Sequence, residues 1–408
     1  MPKDICGVLF HWVLFRLFGQ QQAMLEEEPE RRRMRHWIHP IVAQRIQKGQ
    51  FHTLYNDLRQ DPFKFHNFCR MSMESFDHLL TSLHPDLNFR DTSMRRSISA
   101  EQRLIVTLRF LATGNSFASL HFEFLLGIST ISGIVCHTCK VIWQRLRDAV
   151  MPTPKAEDWL RIAEGFFQSA QFPNCIGALD GKHIRVKKPP HSGSRFFNYK
   201  QYFSVVLMAL VDSNYKFVIV DIGAYGSTSD SRIFSVSRMG ERLRENQLAL
   251  PEPRRLPGSA GPPAPFVIVA DEGFALSHHL MRPFPRRDLD DRKRIFNYRL
   301  TRARRYVECA FGILSSKWRV FMSSIQMNPD NATLVIQACV LLHNFTRIHD
   351  ASADADLGQN VPSSVNLDLS RTGRPGTAGL AVRDFYADFF SSPEGAIPWQ
   401  LEAIRGSR

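Results

Sequence analysis

The hydrophobic pattern of this chain changes period once. From residue 37 to about 147, apolar positions recur every three or four residues: Phe63, Phe65 and Phe68, then Phe76, Leu79, Leu80 and Leu83. That spacing predicts amphipathic helices, and Ser72 stands as an N-cap before the second run. Ser99 caps a helix through Leu104, Ile105, Leu108 and Leu111, which Gly114-Asn115 closes. Residues 117–126 make a short helix and Gly127 a turn. Ser129 then caps a third helix through Ile134, Val135, Val141 and Ile142. This is the order of a helix-turn-helix unit. On that reading Thr130, Ser132, His137 and Lys140 face a DNA groove; a plain helical bundle explains the pattern equally well.

Pro152-Thr153-Pro154 marks a boundary, and residues 159–167 form a linking helix. Beyond Pro173 the apolar residues come in continuous runs bounded by turn residues, at 175–186, 202–212, 217–222 and 266–270. Such runs predict buried strands. Asp212-Ser213-Asn214 joins the second and third as a hairpin, with Asp212 and Asp221 as hairpin residues. The cluster Gly226-Ser227-Thr228-Ser229-Asp230 opens a helix through Ile233, Phe234 and Leu243. Residues 249–265 are a Pro-, Gly- and Ala-rich surface insert. A later helix carries Ala303, Val307, Ala310, Phe311, Leu314 and Trp318 on one face. A last core helix spans 334–345, where His343 fixes packing.

Three strands, a helix, a fourth strand and more helices form the order of a ribonuclease-H-like α/β fold. The expected fold is a mixed sheet with flanking helices, preceded by an all-helical N-terminal region with a helix-turn-helix-like unit. Residues 1–36 are a charged extension, 37–150 the helical region and 173–349 the α/β domain. Residues 350–408 are a flexible tail with a docking helix near 380–390. The first and fourth strands are neighbours in this topology, so Asp180 and Asp271 emerge at one point. Strand phase favours Asp271 over Glu272.

Composition adds a partner. The 408 residues are 44% hydrophobic and 22% charged, as in ordinary globular proteins. Lys and Arg outnumber Asp and Glu by 52 to 39, a net charge of +13, so a polyanion is expected and nucleic acid comes first. The cations cluster. Lys182, Arg185, Lys187 and Lys188 follow Asp180 within one hairpin, and residues 281–305 hold ten Arg or Lys against three Asp. A basic surface that serves solubility is the bland alternative. Seven scattered cysteines favour a reducing compartment over a disulfide framework. Cys136 and Cys139 have zinc-like spacing, yet they lie on a helix with no second close pair. Residues 5–19 are apolar but too short to span a bilayer, and no membrane segment is expected. Residues 20–36 run from three glutamates to an arginine cluster that reads as a nuclear-localisation or DNA-contacting patch.

Four blocks carry a resemblance: Ile-Gly-Ala-Leu-Asp180-Gly-Lys-His; Gly-Ser-Thr-Ser-Asp230-Ser-Arg-Ile-Phe; Val-Ala-Asp271-Glu-Gly-Phe; and Phe-Asn-Tyr-Arg-Leu-Thr-Arg-Ala-Arg-Arg-Tyr-Val-Glu308-Cys-Ala-Phe-Gly-Ile-Leu. In this order they resemble the motif blocks of the Harbinger (PIF) transposases and the nucleases derived from them, members of the DDE superfamily endonucleases. The likeness spans residues 51–345, and residues 382–400 also resemble the family. It implies a metal-binding and catalytic triad at Asp180, Asp271 and Glu308. Periodicity alone leaves Glu308 as an exposed helix residue. It also implies two Mg²⁺ or Mn²⁺ ions about 3.5–4 Å apart, held by hard oxygen ligands, for cutting DNA, with strand transfer left open. It further implies a nuclear location, with some cytoplasmic protein, and a separate Myb-like DNA-binding partner. Homo-oligomerisation stays open.

Asp230 reads either as a helix-capping acid or as an auxiliary acid near the metals. His183 reads as a substrate contact or a hairpin residue. Lys182, Arg185, Lys187, Lys188, Arg304 and Arg305 are the DNA-contacting candidates. The Pro-rich insert lengthens the gap between the two aspartates. The alternative function is a domesticated, non-cleaving DNA-binding or scaffold protein that keeps the fold.

Overall fold

The computed structural model describes residues 38–91, 96–287, 289–350 and 376–405. The expectations for residues 1–36 and for the tail between 351 and 375 lie outside the described residues. In the unit Met1–Gln44 the described part is one helical turn, Pro40–Ala43. The remainder concerns the unit Arg45–Arg408.

Among the described residues, a single turn, Arg45–Lys48, and seven longer helices lead to the sheet: α1 (Gln50–Leu58), α2 (Pro62–Cys69), α3 (Met73–Leu87), α4 (Ala100–Thr113), α5 (Phe117–Phe124), α6 (Ile128–Val150) and α7 (Ala156–Ala170). Asp61, Ser72, Ser99 and Ser116 cap α2 to α5 by accepting from the backbone N–H three residues on. Gly114 ends α4 at φ 71°, a left-handed position that suits glycine. Leu125 is also left-handed, which closes the turn early: α6 starts at Ile128 with Gly127 as its cap, and Ser129 falls in its first turn. α5 and α6 meet at 104°, within the range of helix-turn-helix pairs. No single helix among the described residues is long and apolar enough to cross a membrane.

The sheet has five strands in the order β3-β2-β1-β4-β5: β1 (Cys175–Arg185), β2 (Ser204–Val211), β3 (Phe217–Tyr225), β4 (Val267–Val269) and β5 (Leu280–Met281). β1 pairs antiparallel with β2 and parallel with β4. This is the ribonuclease-H-like arrangement expected. Two-residue β5 is too short to leave a pattern in the sequence. Between β3 and β4 come α8 (Asp230–Val236) and α9 (Arg238–Arg244), one predicted helix broken at Ser237.

Phase along β1 is set by a bulge. Cys175 pairs with Val267, and the next pair is Gly177 with Ile268, which leaves Ile176 as an extra residue. Ile176 therefore packs on the same face as Leu179, with Trp159 of α7, Ile233 of α8 and Met239 of α9. Ala178 and Ile184 face the other side. On that side α10 (Asp291–Lys317) packs on β1 and α11 (Pro329–His349) on β2 and β3, with α6 packed on α11. Gly177 itself leaves room for Leu210, whose Cδ1 would stand 2.6 Å from any Cβ added there.

The Pro-rich segment lies largely on the surface and is pinned at both ends. Asn174, fully buried, donates to the carbonyls of Arg254 and Ala264, and Leu256 is buried in the core. The Pro265 carbonyl accepts from Tyr386 of α12 (Thr377–Ser391), a helix that packs on α10. α12 docks through buried Tyr386 and Phe390 and through Asp384 and Asp388, which both pair with Arg292. Arg299 of α10, buried, reaches the Gly395 carbonyl and Gln400 beyond it.

His343 of α11 is fully buried; its Nε2 donates to the Tyr215 carbonyl at 2.8 Å and its ring lies on Phe217. Burial holds its pKa down at about 3, against an ordinary 6.5. Above the higher value both folded and unfolded chains are neutral at this group. Below it only the unfolded chain takes the proton, so acidification drains stability by up to about 1.4 kcal/mol per pH unit. Urea unfolding at pH 7 and pH 4.5 should show this slope in the parent and its loss in His343→Leu; equal slopes would contradict it.

Candidate active site

The buried runs of β1 and β4 end at Leu179 and Ala270, one residue past the paired Ala178 and Val269. Two residues beyond that pair stand Asp180 and Asp271. Adjacent strands lie about 4.8 Å apart, so the two carboxylates start as neighbours on one face. Asp180 pairs with Ala209 of β2, which belongs to the core facing α10. Glu308 is on α10, one turn after Arg304, and packs toward this same face.

The four groups act on one another. Burial of the Asp180 carboxyl and the Asp271 charge beside it push its pKa up to about 7; Arg304 and the Gly181 N–H pull it back, and Glu308 adds to the rise. Asp180 Oδ1 accepts from Gly181 N–H at 2.8 Å, and Asp271 Oδ1 from Gly273 N–H at 2.9 Å. Arg304 is half-buried and ion-paired with Glu308. Burial alone would lower its pKa, but Glu308, Asp180 and Asp271 together hold it above its ordinary value. Sequence reasoning placed Arg304 among the DNA-contacting residues. Here it is turned inward as the counter-charge of the acids, one helical turn from Glu308, a spacing visible in the sequence.

Glu272 acts instead on Arg282, whose pKa burial lowers and Glu272 raises. Asp230 stands on the far side of β1. It is the first residue of α8, and a Cβ added to Gly181 would meet its Oδ1 at 2.2 Å. Gly181 pairs with Met208, whose side chain belongs to the opposite core, so Asp230 and Asp180 flank the strand from its two faces. Asp230 is thus a helix N-terminal acid packed on Gly181, a close approach that only glycine allows.

The basic candidates separate likewise. Lys182 is half-buried, with Nζ 5.7 Å from the centre of the Phe311 ring of α10. Burial lowers its pKa and Asp180 raises it. Arg185, Lys187, Lys188 and Arg305 are exposed, with Arg185 over Tyr202 and Lys188 over Phe203. Of the four proposed groove-facing residues of α6, only Lys140 is exposed. His137 is half-buried with its ring against Phe89. The open face of α6 is instead Ser129, Gly133, Lys140, Gln144 and Arg147, because α4 and α11 cover the rest.

The donor set fits a hard divalent cation in type: three carboxylates, one driven toward protonation by its neighbours. Glu308 is committed to Arg304, and among the described residues no three His, Cys, Asp or Glu side chains are grouped to hold a metal ion.

The model of the DDE superfamily endonuclease family matches residues 179–344, a span from Leu179 beside the first acid through α10 into α11. Curated relatives match over more of the chain. The Arabidopsis thaliana protein ALP1-like is 27% identical over 70% of this chain and 70% of its own length. The Arabidopsis protein Antagonist of Like Heterochromatin Protein 1 is 26% identical over 70% and 73%. HARBI1 of Homo sapiens, named as a candidate nuclease, is 20% identical over 64% and 71%. Residues 179–344 thus match the DDE superfamily endonucleases, and the named relatives support a Harbinger transposase-derived family. No solved structure matches it. DDE endonucleases generally use divalent metal ions.

In this DDE domain Arg304 carries the compensation of three acids. Arg304→Gln is therefore expected to cost about 2 kcal/mol in urea unfolding at pH 7, with a smaller loss at pH 5, where the acids take up protons. An unchanged midpoint at pH 7 would contradict this role.

Proposed function

We propose that this chain is a divalent-metal-dependent DNA endonuclease that cuts phosphodiester bonds at Asp180, Asp271 and Glu308. The observation that carries the reading is the meeting of Asp180 and Asp271 on neighbouring strand ends, opposite Glu308. The nuclease-family match supports it.

Asp180 and Asp271 would hold Mg²⁺ or Mn²⁺, with Glu308 as the third oxygen ligand. Such a pair of ions supplies activation of a water or a 3′-hydroxyl and stabilisation of the leaving oxygen. The chain's own groups have separate parts. Arg304 keeps the acid cluster ionised while it waits for a cation. Lys182 adds a positive charge beside Asp180. Exposed Arg185, Lys187, Lys188 and Arg305 hold phosphates of the bound strand, so affinity falls steeply with salt. The open face of α6 offers Lys140 and Arg147 for a second DNA contact. A nuclear location and a Myb-like partner belong to this reading, since DNA is the substrate and α6 presents few base-reading groups.

One observation favours a second reading. Glu308 is already satisfied by Arg304, as in a protein that keeps the fold and binds DNA without cutting it. Incubation of the purified chain with duplex DNA and Mn²⁺ separates the two. Cleavage by the parent, reduced at least about 10²-fold in Asp180→Ala and in Glu308→Ala, is the expected result. Salt-sensitive binding without cleavage, with the Myb-like partner present, would leave only the second reading.

A further inference from the structure

Between β1 and β2 the chain makes an 18-residue loop, 186–203, with four Lys or Arg and five aromatic residues and no acid. An 18-residue connection is long for two antiparallel neighbours, which a few residues can join. It is also rigid. Asn198 is buried; its side chain donates to Ser204 Oγ at 3.0 Å and accepts from the N–H groups of Lys200 and Tyr202. Ser204, fully buried, bonds His183 Nδ1 at 2.9 Å and fixes that ring as well.

This scaffold holds Tyr199 outward. The ring is 55% exposed, meets His183 edge-on with centroids 5.6 Å apart, and has Lys200 Nζ 5.4 Å from its centre. Two more rings line the same loop region: Phe197, 40% exposed against Phe203, and Tyr225, 46% exposed against Phe196. A loop that only gripped phosphates would need the cations and not the rings. Exposed rings interleaved with cations suit a strand whose bases can stack on them. In a duplex the base faces are covered by their neighbours, so the base on Tyr199 must be unpaired. His183 lies three residues along β1 from Asp180, about 10 Å, on the opposite face of the strand, that of Gly181, because it pairs with Val206 of the other core.

We propose that Tyr199, with His183 and Lys200, is a stacking site for one unpaired DNA nucleotide, on the face of β1 opposite the acids. Tyr199 positions the substrate and takes no part in the chemistry. The assignment rests on the DNA-cleaving reading of the acid site and names the form of DNA it takes: a locally opened strand.

Binding of the full chain to two duplexes tests this, one carrying a single unpaired 2-aminopurine and one fully paired. The parent should prefer the unpaired duplex about tenfold and quench the 2-aminopurine emission. Tyr199→Ala should lose both the preference and the quench while it binds the paired duplex as before, and Tyr199→Phe should restore both. Lys200→Ala should instead weaken both duplexes alike and lower the salt slope by about one. Absence of a preference in the parent, or its survival in Tyr199→Ala, overturns the stacking site. Cleavage with Mn²⁺ is scored separately. A parent that cuts without the preference loses only this inference, whereas a preference without cutting leaves the stacking site standing and removes the nuclease reading.

Discussion

One extra residue in β1 decides where the acids meet. Strand side chains alternate faces, so a single-residue offset moves everything beyond it to the other side of the sheet. The bulge at Ile176 and Gly177 supplies that offset. Without it Asp180 would continue the face of Ile176, toward α7 and α8, and α10 would pass over an empty position. With it, Asp180 and Asp271 share a face with Glu308 and Arg304, while Gly181 turns its missing side chain toward Asp230. The packing of Leu210 over Gly177 ties this choice of face to the core, because any side chain at 177 would collide with it.

Placing acids together raises an electrostatic cost that the fold meets with Arg304. Its guanidinium pairs with Glu308 and acts on both aspartates, so one cation serves three anions. Burial of Asp180, and then the Asp271 charge, still raise its pKa to about 7, with Arg304 pulling it back.

Much of the architecture could be read from the sequence, for identifiable reasons. Continuous apolar runs gave three of the strands nearly to the residue, since buried strands have no polar positions to blur their ends. Serine caps marked α3 and α4. What sequence missed was short or non-periodic: β5 with two residues, the break at Ser237, and the early start of α6, which hinges on one left-handed leucine. Asp180 and Asp271 were legible as carboxylates at strand ends, but Glu308 sits on a helix edge that hydrophobic spacing cannot single out, and only the motif block selected it. Arg304 stands among the DNA-contacting candidates because sequence shows charge and not direction. Its spacing from Glu308 was the available signal. The Pro-rich insert reads as a surface segment from composition, and Asn174 and Tyr386, distant in sequence, pin it.

The central claim is that Asp180, Asp271 and Glu308 form one cation site. Calorimetric titration of Mn²⁺ into the purified chain tests it most directly. The account predicts saturable binding in the parent that Asp180→Asn and Glu308→Gln each weaken at least about tenfold, with the far-side Asp230→Asn binding as the parent does. Binding that neither of the first two changes weakens, or no binding in the parent, would contradict it.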